Sequence, residues 1–174
     1  MTTLITERLT LTPVQAGDYH DLCALFGDIG FTRHIFGRAL VPEEVWFRTL
    51  RDIGHWEALR HGNWAARLKD GGALVGTFGV LDYRREMNPA FDTPELGWGL
   101  APHHQGKGLA FEALSAALVW CDESLNAPRT VCMISPDNGP SHALAARVGY
   151  VAYAETTYKD GPVVLLERAA RRRP

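Results

Sequence analysis

Residues 94–125 read PELGWGLAPHHQGKGLAFEALSAALVWCDESL, a strand, a glycine-rich turn and a long apolar helix in immediate succession. This segment constrains the fold more than any other. In an extended chain side chains alternate, so Glu95, Gly97 and Gly99 share one face while Leu96, Trp98 and Leu100 share the other. Glycine weakens a strand, and two on one face suggest that something lies close to that backbone. A twisted edge or a bulge would also account for them. From about Gly108 to Leu125, Leu109, Ala113, Leu114, Ala117, Leu118 and Cys121 recur at helical spacing.

The turn between them, QGKGLA, opens that helix. A helix start exposes unpaired N–H groups and the positive end of a dipole, and anions bind there when no side chain blocks the backbone. Gly106 and Gly108 give clearance, Lys107 adds charge, and the first carboxylate waits until Glu112. A plain loop with glycines for turn geometry fits these residues equally well. Two other phosphate loops do not fit. A P-loop needs Gly at Ala101 and Ser or Thr at Gly108, and a dinucleotide fingerprint needs Gly at Phe111 or Pro102. An extended ligand beside the strand, with its phosphates at the turn, would explain both features together.

The rest of the chain supplies a sheet and further helices. ERLTLTPV alternates as a strand, and AGDYHDLCALFGD reads as a helix. GDIGFTRHIFGRAL is Gly-punctuated and reads as a connection. A helix follows from about Pro42, with Trp46, Leu50, Ile53 and Trp56 as its apolar stripe. Residues 63–84 form a hairpin around Asp-Gly-Gly, RTVCMIS a short apolar strand, NGPSHALAARVGY a helix capped by Asn138 and ended by Gly149, and the last segment an Asp160–Gly161 hairpin. The sum is one α+β domain over residues 1–174, a mixed sheet with about four helices.

Composition excludes more than it selects. With 46% apolar residues and a net charge of −2, nothing calls for a nucleic-acid partner. No apolar run reaches the roughly 18 residues of a membrane span, and the start lacks a signal-peptide core. Cys23, Cys121 and Cys132 are odd in number and widely spaced, which suits reduced thiols in a cytoplasmic protein. The basic run at residues 168–174, from Arg168 through Arg173, reads as a flexible tail. His103 and His104 are adjacent without further ligands, so no metal site is expected.

LGWGLAPHHQGKGLAFEAL resembles the acetyl-CoA motif of the GNAT acetyltransferases, whose core Gln/Arg-x-x-Gly-x-Gly/Ala is filled by Gln105, Gly108 and Ala110. ISPDNGPSHALAARVGY is similar to the family's later motif, with Asn138, Ser141, Leu144 and Gly149–Tyr150 in place. TERLTL resembles the branch that includes the ribosomal-protein-serine/alanine N-acetyltransferases. The resemblance covers nearly the whole chain. It implies a six- to seven-stranded sheet that splays between its fourth and fifth strands, acetyl-CoA as cofactor, and transfer to a primary amine by direct attack in a ternary complex. Backbone groups of Leu100 and Ala101 would meet the pantetheine, and those of Gln105, Gly106, Lys107, Gly108, Leu109 and Ala110 the pyrophosphate. Asn138 would reach the pantetheine arm, cap its helix, or both. Glu95 is the implied base, through water, with the N–H of Gly99 or Leu100 on the carbonyl oxygen.

Two positions depart from the family pattern. Ala145 stands where a Tyr commonly protonates the thiolate, which shifts that role to Ser141, and His104 stands where an aromatic residue is common. The acceptor should enter between residues 27–40 and the last hairpin. Phe31, Arg33, His34, Phe36 and Arg38 either line that entrance or pack and solvate a loop, and a protein N-terminus, an amino acid and a small amine all stay open. So does the choice of monomer or homodimer. A non-catalytic acyl-CoA sensor is the alternative reading. A hydrolase is disfavoured because GPSHA does not follow a strand directly and no His comes after His142.

Overall fold

In the computed structural model, residues 1–159 and 161–171 are described. The chain runs β1 (Leu4–Ile5), β2 (Leu9–Pro13), α1 (Tyr19–Phe26), α2 (Ile29–Phe36), α3 (Pro42–Leu59), β3 (Asn63–Leu68), β4 (Leu74–Leu81) and β5 (Glu95–Leu100). It continues through α4 (Leu109–Ser124), β6 (Arg129–Ile134), α5 (Gly139–Arg147), β7 (Val151–Tyr158) and β8 (Gly161–Ala169). The strands form one mixed sheet in the order β1-β2-β3-β4-β5-β6-β8-β7. Among the described residues only β5 and β6 run parallel, and α4 makes the crossover that a parallel pair requires. No helix among the described residues is long and apolar enough to cross a membrane.

Apolar residues cover both faces of the sheet. Trp64 belongs to a large cluster with α4, where Leu109, Ala113, Leu114, Ala117, Leu118 and Cys121 are all buried, as their spacing predicts. Its neighbour Ala65 joins a second cluster with Leu22, Leu25, Phe26, Phe31 and Val45 of the first three helices. Trp64 also sits edge-on to Trp56 and Trp120, with centroids 5.1 and 5.3 Å away. The Trp56 indole donates to the Asn63 carbonyl at 2.7 Å.

Among the described residues, eight strands and five α-helices exceed the expected count, for two local reasons. Leu4–Ile5 pairs with β2 and adds an outer strand, so the fourth and fifth strands of the expected splay are β5 and β6. The Gly-punctuated connection contains α2: Asp28 caps it by accepting from the Gly30 N–H at 2.7 Å, and Gly37 ends it in the left-handed conformation. Gly30 is a packing glycine, since a Cβ there would lie 2.8 Å from Pro102 Cγ.

Two other expectations are corrected. The apolar stripe of α3 is rotated: Val45, Thr49, Asp52 and Trp56 face inward, whereas Trp46 and Leu50 are exposed. A buried face that includes Thr and Asp carries no apolar period to read. Arg168 is not in a tail. It lies in β8, is 5% exposed, and grips both Asp122 oxygens at 2.9 and 2.7 Å. Residues 172–174, and the Asp160 of the expected hairpin turn, lie outside the described residues. Removing one partner of a buried ion pair strands the other, so Arg168→Ala should cost about 3–5 kcal/mol in urea unfolding. A residue in a frayed tail would cost nothing measurable.

Candidate active site

The site begins where β5 and β6 part. They share one register pair, Glu95 with Val131, closed by the Val131 N–H donating to the Pro94 carbonyl at 3.1 Å. Beyond it the strands diverge. Side-chain bonds secure the closed end, Thr93 Oγ1 to the Arg129 carbonyl at 2.7 Å and Arg129 to Asp92 at 2.6 Å. On its other edge β5 is fully paired with β4, and the Ala101 N–H donates to the Val75 carbonyl at 2.8 Å. Backbone groups alternate along an antiparallel ladder, so those of Gly97 and Gly99 also turn toward β4, while those of Leu96, Trp98 and Leu100 turn into the open wedge. Of the three expected backbone contacts, this keeps Leu100 and directs the N–H groups of Gly99 and Ala101 elsewhere.

The glycine face is not empty. A Cβ on Gly99 would lie 2.7 Å from two Phe31 ring carbons, and one on Gly97 would lie 3.1 Å from Leu81 Cδ1. The close neighbour that the glycines foretold is therefore protein. Phe31, expected at the acceptor entrance, is 6% exposed and stacks edge-on against Phe26 at 5.2 Å. The open space beside β5 lies along its unpaired edge instead.

At the wide end of the wedge the chain enters the turn ahead of α4. Gln105 Nε2 donates to the Leu100 carbonyl at 3.0 Å and ties the turn to the strand. Gly106 and Gly108 have φ of 74° and 78°, and a Cβ on Gly106 would meet nothing within 4 Å. Left-handed residues in such a turn gather successive N–H groups into an anion-sized concavity. The first bond of α4 runs from the Glu112 N–H to the Gly108 carbonyl, so the amides of Leu109, Ala110 and Phe111 have no acceptor within the helix. Lys107 is exposed beside them.

An outer clamp that the residue-level reading missed holds this turn. Glu112 accepts from Thr6 Oγ1 at 2.6 Å, the Arg8 N–H at 2.7 Å and Arg8 Nε at 2.7 Å, while Arg8 Nη1 donates to the Lys107 carbonyl at 2.9 Å. Burial works upward on the Glu112 carboxyl, but these bonds outweigh it and hold it below the ordinary range. The carboxylate nearest the turn is thus neutralised from outside. The signal was present: Thr6 and Arg8 belong to the TERLTL stretch.

At the narrow end Glu95 is 5% exposed, and both its oxygens are held by Arg85, at 2.5 and 2.8 Å. Arg85 also donates to the Tyr158 hydroxyl at 2.9 Å. Burial pushes the Glu95 carboxyl upward against the pull of Arg85. A cavity of about 310 Å³ opens here, lined by Leu81, Tyr83, Arg85, Phe91, Thr93 and Glu95 among others. Neither Arg85 nor Tyr158 carries a sequence signal, since each sits at a loop or strand end.

The remaining predicted residues sit around the wedge. Asn138 caps α5, accepting from the Ser141 N–H at 3.3 Å, which puts Ser141 in its first turn, half-buried. Ala145 is fully buried in the core, so the place where the family often has Tyr is packed rather than open. On α2, Arg33 is exposed, His34 Nδ1 lies 3.7 Å from Asp137, and Phe36 packs beside Phe26. Arg38 instead pairs with Glu44 on the surface. His103 and His104 stack at 4.2 Å in the short turn before Gln105.

Residues 8–151 match the family described as the acetyltransferase (GNAT) domain. The chain is 28% identical over 142 residues to an uncharacterized N-acetyltransferase, p20, of Bacillus licheniformis, covering 81% of this chain and 78% of that one. It is 31% identical over 117 residues to the [ribosomal protein uS5]-alanine N-acetyltransferase of Escherichia coli (strain K12), covering 55% and 60% of the two chains. A solved structure from Bordetella pertussis, assigned to the GNAT acetyltransferases, superposes with a TM-score of 0.86 at 32% identity over 97% of this chain and 100% of that one. The ribosomal L7/L12 alpha-N-protein acetyltransferase in complex with coenzyme A shares the fold, with a TM-score of 0.80 at 14% identity over 97% and 98% of the two chains.

Because Phe31 fills the space beside Gly99, Gly99→Ala should cost about 1–3 kcal/mol of unfolding free energy through overpacking. In Phe31→Ala the same glycine substitution should cost much less. A double-mutant cycle in urea measures that coupling, and additive effects would contradict the contact.

Proposed function

This chain belongs to the GNAT acetyltransferases, and from that premise we propose that it moves an acetyl group from acetyl-CoA to a primary amine held at the Glu95 end of the wedge. The observation that carries the reading is the parting of β5 and β6 after one register pair, with a left-handed glycine turn at the wide end. Two strand edges with unpaired backbone groups face each other there, and buried backbone groups require partners.

Bound acetyl-CoA supplies an activated thioester. The protein's part is to bind, align and move protons. Amides from Gln105 to Ala110 hold the pyrophosphate, with Lys107 adding charge, and Gln105 fixes the turn relative to β5. The Leu100 amide faces the extended arm, and Asn138 approaches it from the far side while capping α5. As the amine nitrogen bonds to the acetyl carbon and the carbon–sulfur bond breaks, one proton must leave nitrogen and one must reach sulfur. Glu95 accepts the first through water, on the lone pairs that Arg85 leaves free. Ser141 donates its hydroxyl proton to the departing sulfur and is re-protonated from water, which closes the proton count. Arg85 positions the carboxylate and joins it to Tyr158.

Calorimetry with coenzyme A tests the binding half. Wild type should give a measurable binding heat, and Gly108→Val, which forces a β-branched residue into a left-handed conformation, should abolish it. Glu95→Gln should keep coenzyme A affinity while thiol release with an amine panel falls about 10²–10⁴-fold. In wild type the acidic limb of kcat/KM should lie above the ordinary carboxylate value of about 4.3, with activity lost as pH drops through it. Equal rates for the two proteins would remove Glu95 from the chemistry.

A further inference from the structure

Three arginines gather on the Glu95 side of the sheet, and among the described residues only two of them pair with a carboxylate. Arg51 takes Asp52 at 2.7 Å, and Arg85 takes Glu95. Arg48, one turn before Asp52 on α3, pairs with no carboxylate among the described residues, and its Nε is buried without an acceptor. Its guanidinium lies 4.7 Å from the Phe26 centroid and 5.2 Å from that of Phe36. Stacking of that kind occupies the faces of the group and leaves its in-plane N–H fork unused. Burial lowers its pKa, and Arg51 lowers it further. A folded protein does not normally leave a largely desolvated guanidinium without a counter-ion.

We propose that the in-plane fork of Arg48 receives a carboxylate carried by the acceptor, so that the enzyme acetylates a small amine bearing a carboxylate on the same molecule. The inference rests on the acetyl-transfer reading and narrows its substrate. Position supports it. Phe26 packs edge-on against Phe31, and Phe31 covers Gly99, so two aromatic rings connect Arg48 to β5 on the face that carries Glu95. The phosphate turn lies past the opposite end of that strand, which separates this cation from the nucleotide. Arg48 also feels the charges of Asp52, Tyr83 and Arg85, and Tyr83 and Arg85 line the cavity beside Glu95. The residue is half-buried rather than sealed. A guanidinium fork matches a carboxylate bidentately, and the local excess of one positive charge suits one negative group.

The test uses full-length protein, acetyl-CoA and matched acceptors: glycine, 4-aminobutyrate and glutamate, their methyl esters, the corresponding uncharged amines, and short peptides. Thiol release by wild type should favour at least one acid over its ester by about tenfold to a hundredfold in kcat/KM, the span of a charge-assisted bond. Arg48→Met should erase that preference through KM, with turnover of the ester and binding of coenzyme A unchanged, and Arg48→Lys should restore part of it. Wild type using acids and esters equally, acetylating peptides regardless of charge, or a preference that survives Arg48→Met would overturn the proposal. A second readout needs no turnover. Without acceptor, Arg48→Met should melt above wild type, and the preferred acid should raise the melting temperature of wild type alone. A lower melting temperature for Arg48→Met, with no acid shifting wild type, would make Arg48 a structural residue. Absence of coenzyme A heat would instead count against the acetyl-transfer reading itself.

Discussion

Backbone polar groups inside a protein must be paired, and the structure depends on where that requirement is suspended. β5 meets it along one edge through β4, and β6 does so along one edge through β8. Between them the ladder stops after Glu95 and Val131. The strands cannot drift back together along their length, because the closed end is fixed by Thr93, Asp92 and Arg129 while α4 and α5 occupy the wide end. A slot of this kind favours an extended ligand that presents donors and acceptors of its own, as a strand would.

Charge is distributed along the slot to suit its two ends. At the wide end Arg8 neutralises Glu112, and the potential that remains comes from main-chain amides and Lys107. Little charge has to be desolvated there, the setting in which a helix start can meet an anion. At the narrow end the charges are carried by side chains and are buried. Arg85 and Glu95 share a short bidentate contact, and burial raises the Tyr83 hydroxyl to about 12, with Asp52 adding to the shift. These groups are buried, so each electrostatic contact counts for more than it would at the surface.

Much of this was legible in the chain. Glycines at 106 and 108 announced the turn because a left-handed backbone needs them, and the spacing of α4 announced its buried face. Leu96, Trp98 and Leu100 alternate as read. The glycines on the opposite face were legible as a close approach, but sequence order does not say what approaches, and Phe31 is 68 positions from Gly99. The inward face of α3 was hidden for a different reason. It borders a polar site, so Thr49 and Asp52 sit where periodicity expects apolar residues, and exposed Trp46 and Leu50 supplied a false stripe. Arg168 was misread because a cluster of arginines near an end resembles a solvated tail until Asp122, 46 positions earlier, is found opposite it.

The helix that sequence reasoning passed over does the most to join the two halves of the site. α2 has eight residues, too few to be stable in water alone, so its contacts must sustain it. Gly30 seats Pro102 of the turn leading to Gln105, Phe31 lies on Gly99 of β5, and His34 approaches Asp137 ahead of α5. Phe36 carries the Arg48 guanidinium. One short element thus touches the approach to the glycine turn, the strand β5, the loop that caps α5 and the Arg48 guanidinium. A carboxylate settling on Arg48 would draw on Phe26 and Phe36 together and so favour the helix. A helix so placed presses Phe31 onto β5, the strand whose free edge faces the wedge. Acceptor and cofactor would then stabilise the same eight residues from opposite sides, and the energetic coupling between them would run through packing rather than through any direct contact.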